Sequence, residues 1–157
     1  MDCMANRRLL FLAIAVAVIG ASGILAVTLP GLNNVSTSTS ALTLPSGCVK
    51  PAGGFLIIAS QLGFNDSVNH GVPEDNWPVM NVRLGQNVTI VVCNADPSQA
   101  HGFQIDHYYV AQLVSIASGD VLRVSFVASQ SGSFRVYCQI FCTIHWAMQS
   151  GRLIVSA

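Results

Sequence analysis

The stretch that most limits the fold is Val121-Leu-Arg-Val-Ser-Phe-Val. If it is extended, Val121, Arg123, Ser125 and Val127 fall on one side and Leu122, Val124 and Phe126 on the other. A side-chain period of two belongs to a half-buried strand; a helix would scatter the same residues around its circumference. The pattern recurs from Cys48 to the last residue. Gly54–Ser60, Pro78–Leu84, Asn87–Cys93, His101–Asp106, Gln112–Ala117, Ser133–Cys138 and Gly151–Ala157 are short and rich in β-branched and aromatic residues, which suit a pleated surface. Groups of Gly, Asn, Asp, Ser and Pro separate them, as in Asn94-Ala95-Asp96-Pro97 and Ser118-Gly119-Asp120, the residues that turns require. About eight strands without a helical period predict an all-β sandwich over residues 48–157. Asn65–Pro78 has no strand pattern and reads as a long surface excursion.

The other half of the organisation lies at the start of the chain. Leu9 to Leu29 runs 21 residues without a charge, long enough to cross a hydrocarbon core of about 30 Å as a helix. Arg7 and Arg8 precede it and the next basic residue is Lys50, so the positive-inside rule leaves the N-terminus in the cytoplasm and the remainder outside. Residues 1–30 are therefore expected to be a single-pass anchor in the cell membrane. A cleaved leader is the alternative, with an apolar region of about 7–15 residues, shorter than this one; either way the β domain is extracytoplasmic. Residues 31–47, rich in Ser and Thr, read as a solvated linker. Asn34-Val-Ser, Asn65-Asp-Ser and Asn87-Val-Thr are glycosylation signals usable on an exported face.

Charge is scarce. Seven basic side chains balance seven acidic ones and charged residues make up 9 % of the chain, which excludes the basic stripe that nucleic acid binding needs.

Chemistry concentrates in YCQIFCTIHWAMQSG, Tyr137 to Gly151, where two cysteines, a histidine and a methionine fall close together. Thiolate, imidazole and thioether form the ligand set that suits copper. A Cys138–Cys142 disulfide is the competing reading in an oxidising compartment, but it leaves His145 and Met148 unexplained. A further imidazole is expected from another strand end, and His101 stands at the start of His-Gly-Phe-Gln-Ile-Asp, directly after a turn. His70 and His107 read as solvated rather than ligating. Cys93 reads as a buried small hydrophobe, with pairing to Cys48 as the alternative.

On these residues, HGFQIDHYY through GDVLRVSFVASQSGSFRVYCQIFCTIHWAMQSGRLIV, the chain resembles the cupredoxin domain of haem–copper oxidase subunit II of the single-span type. It is also similar to the C-terminal domain of nitrous-oxide reductase. The resemblance covers about Phe55 to Val155 and implies a cupredoxin-like Greek-key β-sandwich with a binuclear CuA copper centre. The implied bridging thiolates are Cys138 and Cys142, the histidines His101 and His145, the thioether Met148, and the main-chain carbonyl that of Ile140. One spacing departs from the family: Cys142-Thr-Ile-His145 has two intervening residues where the family has three. The shortened C-x-x-H-x-x-M is similar to short-loop blue copper proteins, and a single mononuclear copper is the alternative. Blue proteins set their cysteine directly after a strand of the kind Ser133–Tyr137, which is the position of Cys138, and that leaves Cys142 free to be a second bridge.

The implied function is electron transfer without a catalytic site of its own, His145 being the ligand nearest the donor and His101 the more buried one. The implied partners are the catalytic subunit of a haem–copper oxidase or a similar redox protein, with a small redox protein or a quinol-linked donor upstream. A free-standing blue or red copper carrier, and less directly a copper chaperone, are the other function classes. Trp146 is expected either to offer an apolar docking surface or to shield the metal from water.

Overall fold

A computed structural model describes residues 42–72, 74–110 and 113–157. The expected anchor, 1–30, and the expected linker as far as residue 41 lie outside the described residues. Among the described residues no helix is long and apolar enough to cross a membrane.

Among the described residues there are eight strands: β1 (Phe55–Ser60), β2 (Gly63–Phe64), β3 (Val79–Arg83), β4 (Asn87–Asn94), β5 (Gln104–Ile105), β6 (Val121–Val127), β7 (Gly132–Tyr137) and β8 (Gly151–Ser156). Two 3₁₀ turns, Ser67–His70 and His145–Met148, are the helical elements among the described residues. The strands form two four-stranded mixed sheets, ordered β2-β1-β4-β6 and β3-β8-β7-β5. β1 runs parallel to β4 and β3 parallel to β8, while β4–β6, β7–β8, β1–β2 and β5–β7 are antiparallel. The chain changes sheet at every connection from β2 to β7, and this brings loops from distant parts of the sequence to one end.

The sheets are held by a shared core. Val88, Ile90 and Val92 of β4 and Val124 of β6 belong to the same buried cluster as Val82 of β3, Val136 of β7 and Leu153 and Val155 of β8. Full burial of each such side chain stabilises by about 1.5–3 kcal/mol. On β6 the alternation read from the sequence is the alternation found: Val121, Arg123, Ser125 and Val127 are exposed and Leu122, Val124 and Phe126 are turned inward. β6 stands at a sheet edge with one face in water, and only such a strand has to alternate. β4 lies inside its sheet and is buried from Ile90 to Asn94 on both faces.

Four expectations need correcting. Cys93 is not a lone buried hydrophobe; it forms a disulfide with Cys48 across a sequence separation of 45. Closing a loop of that length removes chain entropy worth about 4 kcal/mol and ties the segment before β1 to the central strand β4. The expected strand Gln112–Ala117 is absent from its described part, where Ile116 makes only an isolated bridge to His101. Side chains take its backbone groups: Asn94 Nδ2 donates to the Ile116 carbonyl at 2.9 Å and Gln139 Nε2 to that of Val114 at 3.1 Å. Likewise His101–Asp106 is extended only at Gln104–Ile105, because the Gly102 N–H is spent on the Cys138 sulfur at 3.0 Å. The excursion 65–78 is not purely superficial either. Its Ser67 is fully buried, accepting from the Phe64 N–H at 3.1 Å and donating to the Ala147 carbonyl at 2.7 Å.

Candidate metal centre

Two loops meet at one end of the sandwich, one leaving β4 and the other leaving β7. The first begins with Asn94-Ala95-Asp96-Pro97, whose polar groups bond inward. Asn94 Oδ1 accepts the Asp96 N–H at 2.9 Å, and Asn94 Nδ2 donates to the Gln99 carbonyl at 2.8 Å. Asp96 is fully buried. Its Oδ1 accepts the N–H and O–H of Ser98, both at 2.8 Å, and the Gln99 N–H at 3.2 Å. Burial pushes this carboxyl upward in pKa, but the Ser98 bonds and the adjacent His101 outweigh that and hold it below its ordinary 3.8. Asp96 is thus an anion by design of its surroundings.

The other oxygen, Oδ2, lies 3.1 Å from His101 Nε2. A carboxylate can only accept, so Nε2 carries a proton and donates it to Asp96. His101 is fully buried, and Nδ1 has no hydrogen-bond partner among the described residues. A buried polar atom left without a partner costs about 1–3 kcal/mol, which coordination to a metal ion would recover. Backbone bonds in both directions between His101 and Ile116, at 3.1 and 2.8 Å, fix the residue in place.

The second loop is closed at its base. The Cys138 N–H donates to the Met148 carbonyl at 2.9 Å and Gln149 Nε2 to the Cys138 carbonyl at 2.8 Å. Cys138 follows β7 directly; Cys138 and Cys142 are both buried and both free thiols, so the disulfide alternative for this pair is not what is found. One ligand atom each of His101, Cys138 and Cys142 lie within 4.8 Å of one another, from residues up to 41 positions apart in sequence. The close approach depends on Gly102: a Cβ there would collide with the Gln139 side-chain amide and backbone nitrogen.

The carbonyl of Ile140 turns into the same space. It accepts the Cys138 S–H at 3.1 Å and a bond from His145 Nδ1 at 2.9 Å. A carbonyl cannot donate, so Nδ1 of His145 holds the proton here, while Nε2 faces Gln149 Nε2 at 3.2 Å. His145 is half-buried and lies outside the tight His101–Cys138–Cys142 group, although its ring and Cys138 share the Ile140 oxygen. Met148 is fully buried in the core cluster that also contains Cys138 and Cys142. Phe141 and Trp146 project outward from the loop at 91 % and 51 % exposure.

Chemically this arrangement suits a cation. Burial, reinforced by the neighbouring Cys138, pushes the Cys142 thiol from 9.0 up to about 11. Two thiolates cannot form side by side in such a place without positive charge between them; a soft metal ion supplies it and expels the proton. The donors fit copper: imidazole, two thiols, a buried thioether and a carbonyl.

Sequence reasoning missed Asp96, Gln99, Ser67 and Gln149. Gln99 clasps the two loops together: its Nε2 donates to Thr143 Oγ1 at 2.7 Å and its Oε1 accepts the Thr143 N–H at 3.0 Å. The only signal for Asp96 was its place in a turn five residues before the histidine. Of the other histidines, His70 stacks on Trp77 at 3.8 Å and His107 on Phe134 at 5.6 Å; neither joins the thiols. A cavity of about 610 Å³ adjoins the Asp96 turn, bounded by Leu42–Pro45, Leu62 and Ser118, and its lining contains no Cys or His.

No family model matches the chain. Solved structures of similar shape include a dithionite-reduced auracyanin from Roseiflexus castenholzii, 16 % identical, covering 66 % of this chain and 97 % of that one with a TM-score of 0.49. A subunit of a heme-copper terminal oxidase dimer is 21 % identical over 96 % of this chain and 94 % of that one, TM-score 0.48. A copper nitrite reductase from Nitrosomonas europaea is 22 % identical, covering 66 % of this chain but only 41 % of its own length, TM-score 0.48. At these identities and scores the likenesses bear on no individual residue of this chain.

Proposed function

We propose that this chain is a membrane-anchored copper protein that passes single electrons outside the cytoplasm, as the CuA-type subunit II of a terminal oxidase. The observation that carries the reading is the fully buried His101, its Nδ1 unpartnered among the described residues and its Nε2 held by Asp96, facing two free thiols within 4.8 Å. The residues that would hold the metal are His101, Cys138, Cys142, His145 and Met148, with the Ile140 carbonyl. Bound copper would supply one-electron redox chemistry, the partner oxidase supplying the reduction that consumes the electrons.

The chain's own part is to hold the ligands in nearly one geometry and to keep water away. Asp96 orients the His101 ring. The Gly102 N–H donates to the Cys138 sulfur at 3.0 Å, withdrawing electron density from it and favouring the reduced state. Half-buried His145, flanked by exposed Phe141 and Trp146, gives the outermost ligand an apolar rim against which a donor protein can dock. The catalytic subunit of a haem–copper oxidase is the proposed acceptor and a small redox protein or quinol-linked carrier the proposed donor. The anchor would keep the domain concentrated near them.

A mononuclear copper carrier is the second reading, favoured by the two-residue Thr143-Ile144 spacer and by His145 standing outside the tight group. One experiment separates them. The full chain in detergent is loaded with copper, and its metal ratio and electron paramagnetic resonance spectrum are recorded. Two coppers with a seven-line hyperfine pattern, from one electron shared over two equivalent nuclei, support the binuclear centre. One copper with four lines supports the mononuclear site, and a colourless protein that keeps only zinc overturns both.

A further inference from the structure

The chain carries the Asn-x-Ser/Thr signal at two described positions, Asn65-Asp66-Ser67 and Asn87-Val88-Thr89, and the fold treats them oppositely. At Asn65 both ends of the side-chain amide are in use: Oδ1 accepts the Ile58 N–H at 2.7 Å and Nδ2 donates to the Leu56 carbonyl at 3.3 Å. The hydroxyl of its partner Ser67 is buried and committed to the Ala147 carbonyl. A sugar on Asn65 would break the bonds that join β1 to the excursion, and through Ser67 would disturb the turn bearing His145 and Met148.

Asn87 is the reverse. It opens β4 with its side chain exposed and without a hydrogen bond among the described residues. Val88 and Ile90 point into the core, so Asn87 and Thr89 stand together on the outer face of the sheet. The Thr89 hydroxyl meets only the exposed Ser125 hydroxyl, at 3.1 Å. Directly across the ladder is Val127, an apolar side chain 50 % exposed. From Asn87 to Asn94, where the His101 loop begins, the strand rises about 3.3 Å per residue, or about 23 Å in all. A bulky group at Asn87 therefore covers Val127 and leaves the His101–Cys138–Cys142 end clear.

We propose that Asn87 carries an N-linked oligosaccharide and Asn65 does not. The inference rests on the reading that the domain is exported, and the Cys48–Cys93 disulfide gives that reading independent support, since such bonds persist in oxidising compartments. The donor is a lipid pyrophosphate-linked oligosaccharide. The Asn87 amide nitrogen attacks the anomeric carbon, a C–N bond forms, the C–O bond to phosphate breaks, the lipid pyrophosphate departs and the amide gives up one proton. No electrons change hands.

The test is mass spectrometry of the full chain purified from membranes of the cells that make it, alongside protease digestion of intact cells and a thiol count. The expected result is a carbohydrate increment on the Asn87 peptide, lost in Asn87→Gln and Thr89→Ala, kept in Thr89→Ser, with the Asn65 peptide bare. Because Asn87 is exposed, N87Q is expected to fold and load copper as the parent does. An unmodified Asn87 in a chain that is digested from outside and has Cys48–Cys93 oxidised overturns the proposal while leaving export intact, as does sugar on Asn65. A domain protected from external protease with free Cys48 and Cys93 overturns the export reading and the proposal together.

Discussion

The two loops that meet at the His101–Cys138–Cys142 end are built on different principles. The Asn94–His101 loop is fixed by its own hydrogen bonds: its aspartate and histidine are fully buried, and Asp96 spends four hydrogen bonds holding Ser98, Gln99 and His101. The Cys138–Met148 loop is provisional. Its would-be ligands bond to one another, Cys138 and His145 both to the Ile140 carbonyl, and it exposes Phe141 and Trp146. One loop is a fixed wall and the other a clasp whose internal hydrogen bonds would give way to metal bonds on the proposed reading. The difference teaches where rigidity is invested: in the buried histidine, farthest from solvent, with adaptability left to the face a partner would touch.

Mutations can break that contrast, and the largest effect is expected from the clasp. Cys138→Ser or Cys142→Ser removes a thiolate from the centre, and copper retention on dialysis should fall by more than the about 100-fold that loss of a ligand's hydrogen-bond partner costs. Next comes the wall. Asp96→Ala should weaken copper binding by about 10–100-fold and, by stranding buried donors, lower folding stability by about 1–3 kcal/mol in urea titration. If it leaves metal affinity unchanged, the idea of a pre-set histidine is wrong. Ser67→Ala frees the Ala147 carbonyl and the Phe64 N–H; a loss of about 1–3 kcal/mol is expected, with the hyperfine pattern perturbed through the His145–Met148 turn while His101 exchange protection stays as it was. Gln99→Ala unfastens the bridge between wall and clasp at a cost of about 0.5–1.5 kcal/mol, read by thermal melting of the metal-free chain. Smallest is Phe141→Ala, within about 0.5 kcal/mol in stability; only its electron exchange rate with a donor protein should slow.

How much of this was legible beforehand depended on how local each cause was. The alternation of Val121–Val127 is a property of seven consecutive residues at a sheet edge, and it survives into the structure unchanged. So does the crowding of soft donors from Cys138 to Met148. The meeting of His101 with those thiols was expected from its place at a strand end directly after a turn, and the resemblance pointed to the same residue. Asp96 was invisible because an aspartate in Asn-Ala-Asp-Pro is already explained by turn formation; its second duty exists only once His101 folds back over it. Cys48 and Cys93 sit 45 residues apart, a separation at which spacing says nothing about pairing. Gln112–Ala117 carried the composition of a strand and lost the competition for its carbonyls to Asn94 and Gln139.

The pairing of β3 with β8, parallel and joined at Val79–Arg152 through Arg83–Ser156, sets a timetable for maturation. Contacts this distant along the polymer form late in folding, because closing the intervening loop is slow. β8 also follows closely on the Met148 turn, so the turn bearing His145 and Met148 is fastened on both sides only once β8 has paired with β7 and β3. On the proposed reading, any ion held there is taken up by a chain whose β8 is already in place.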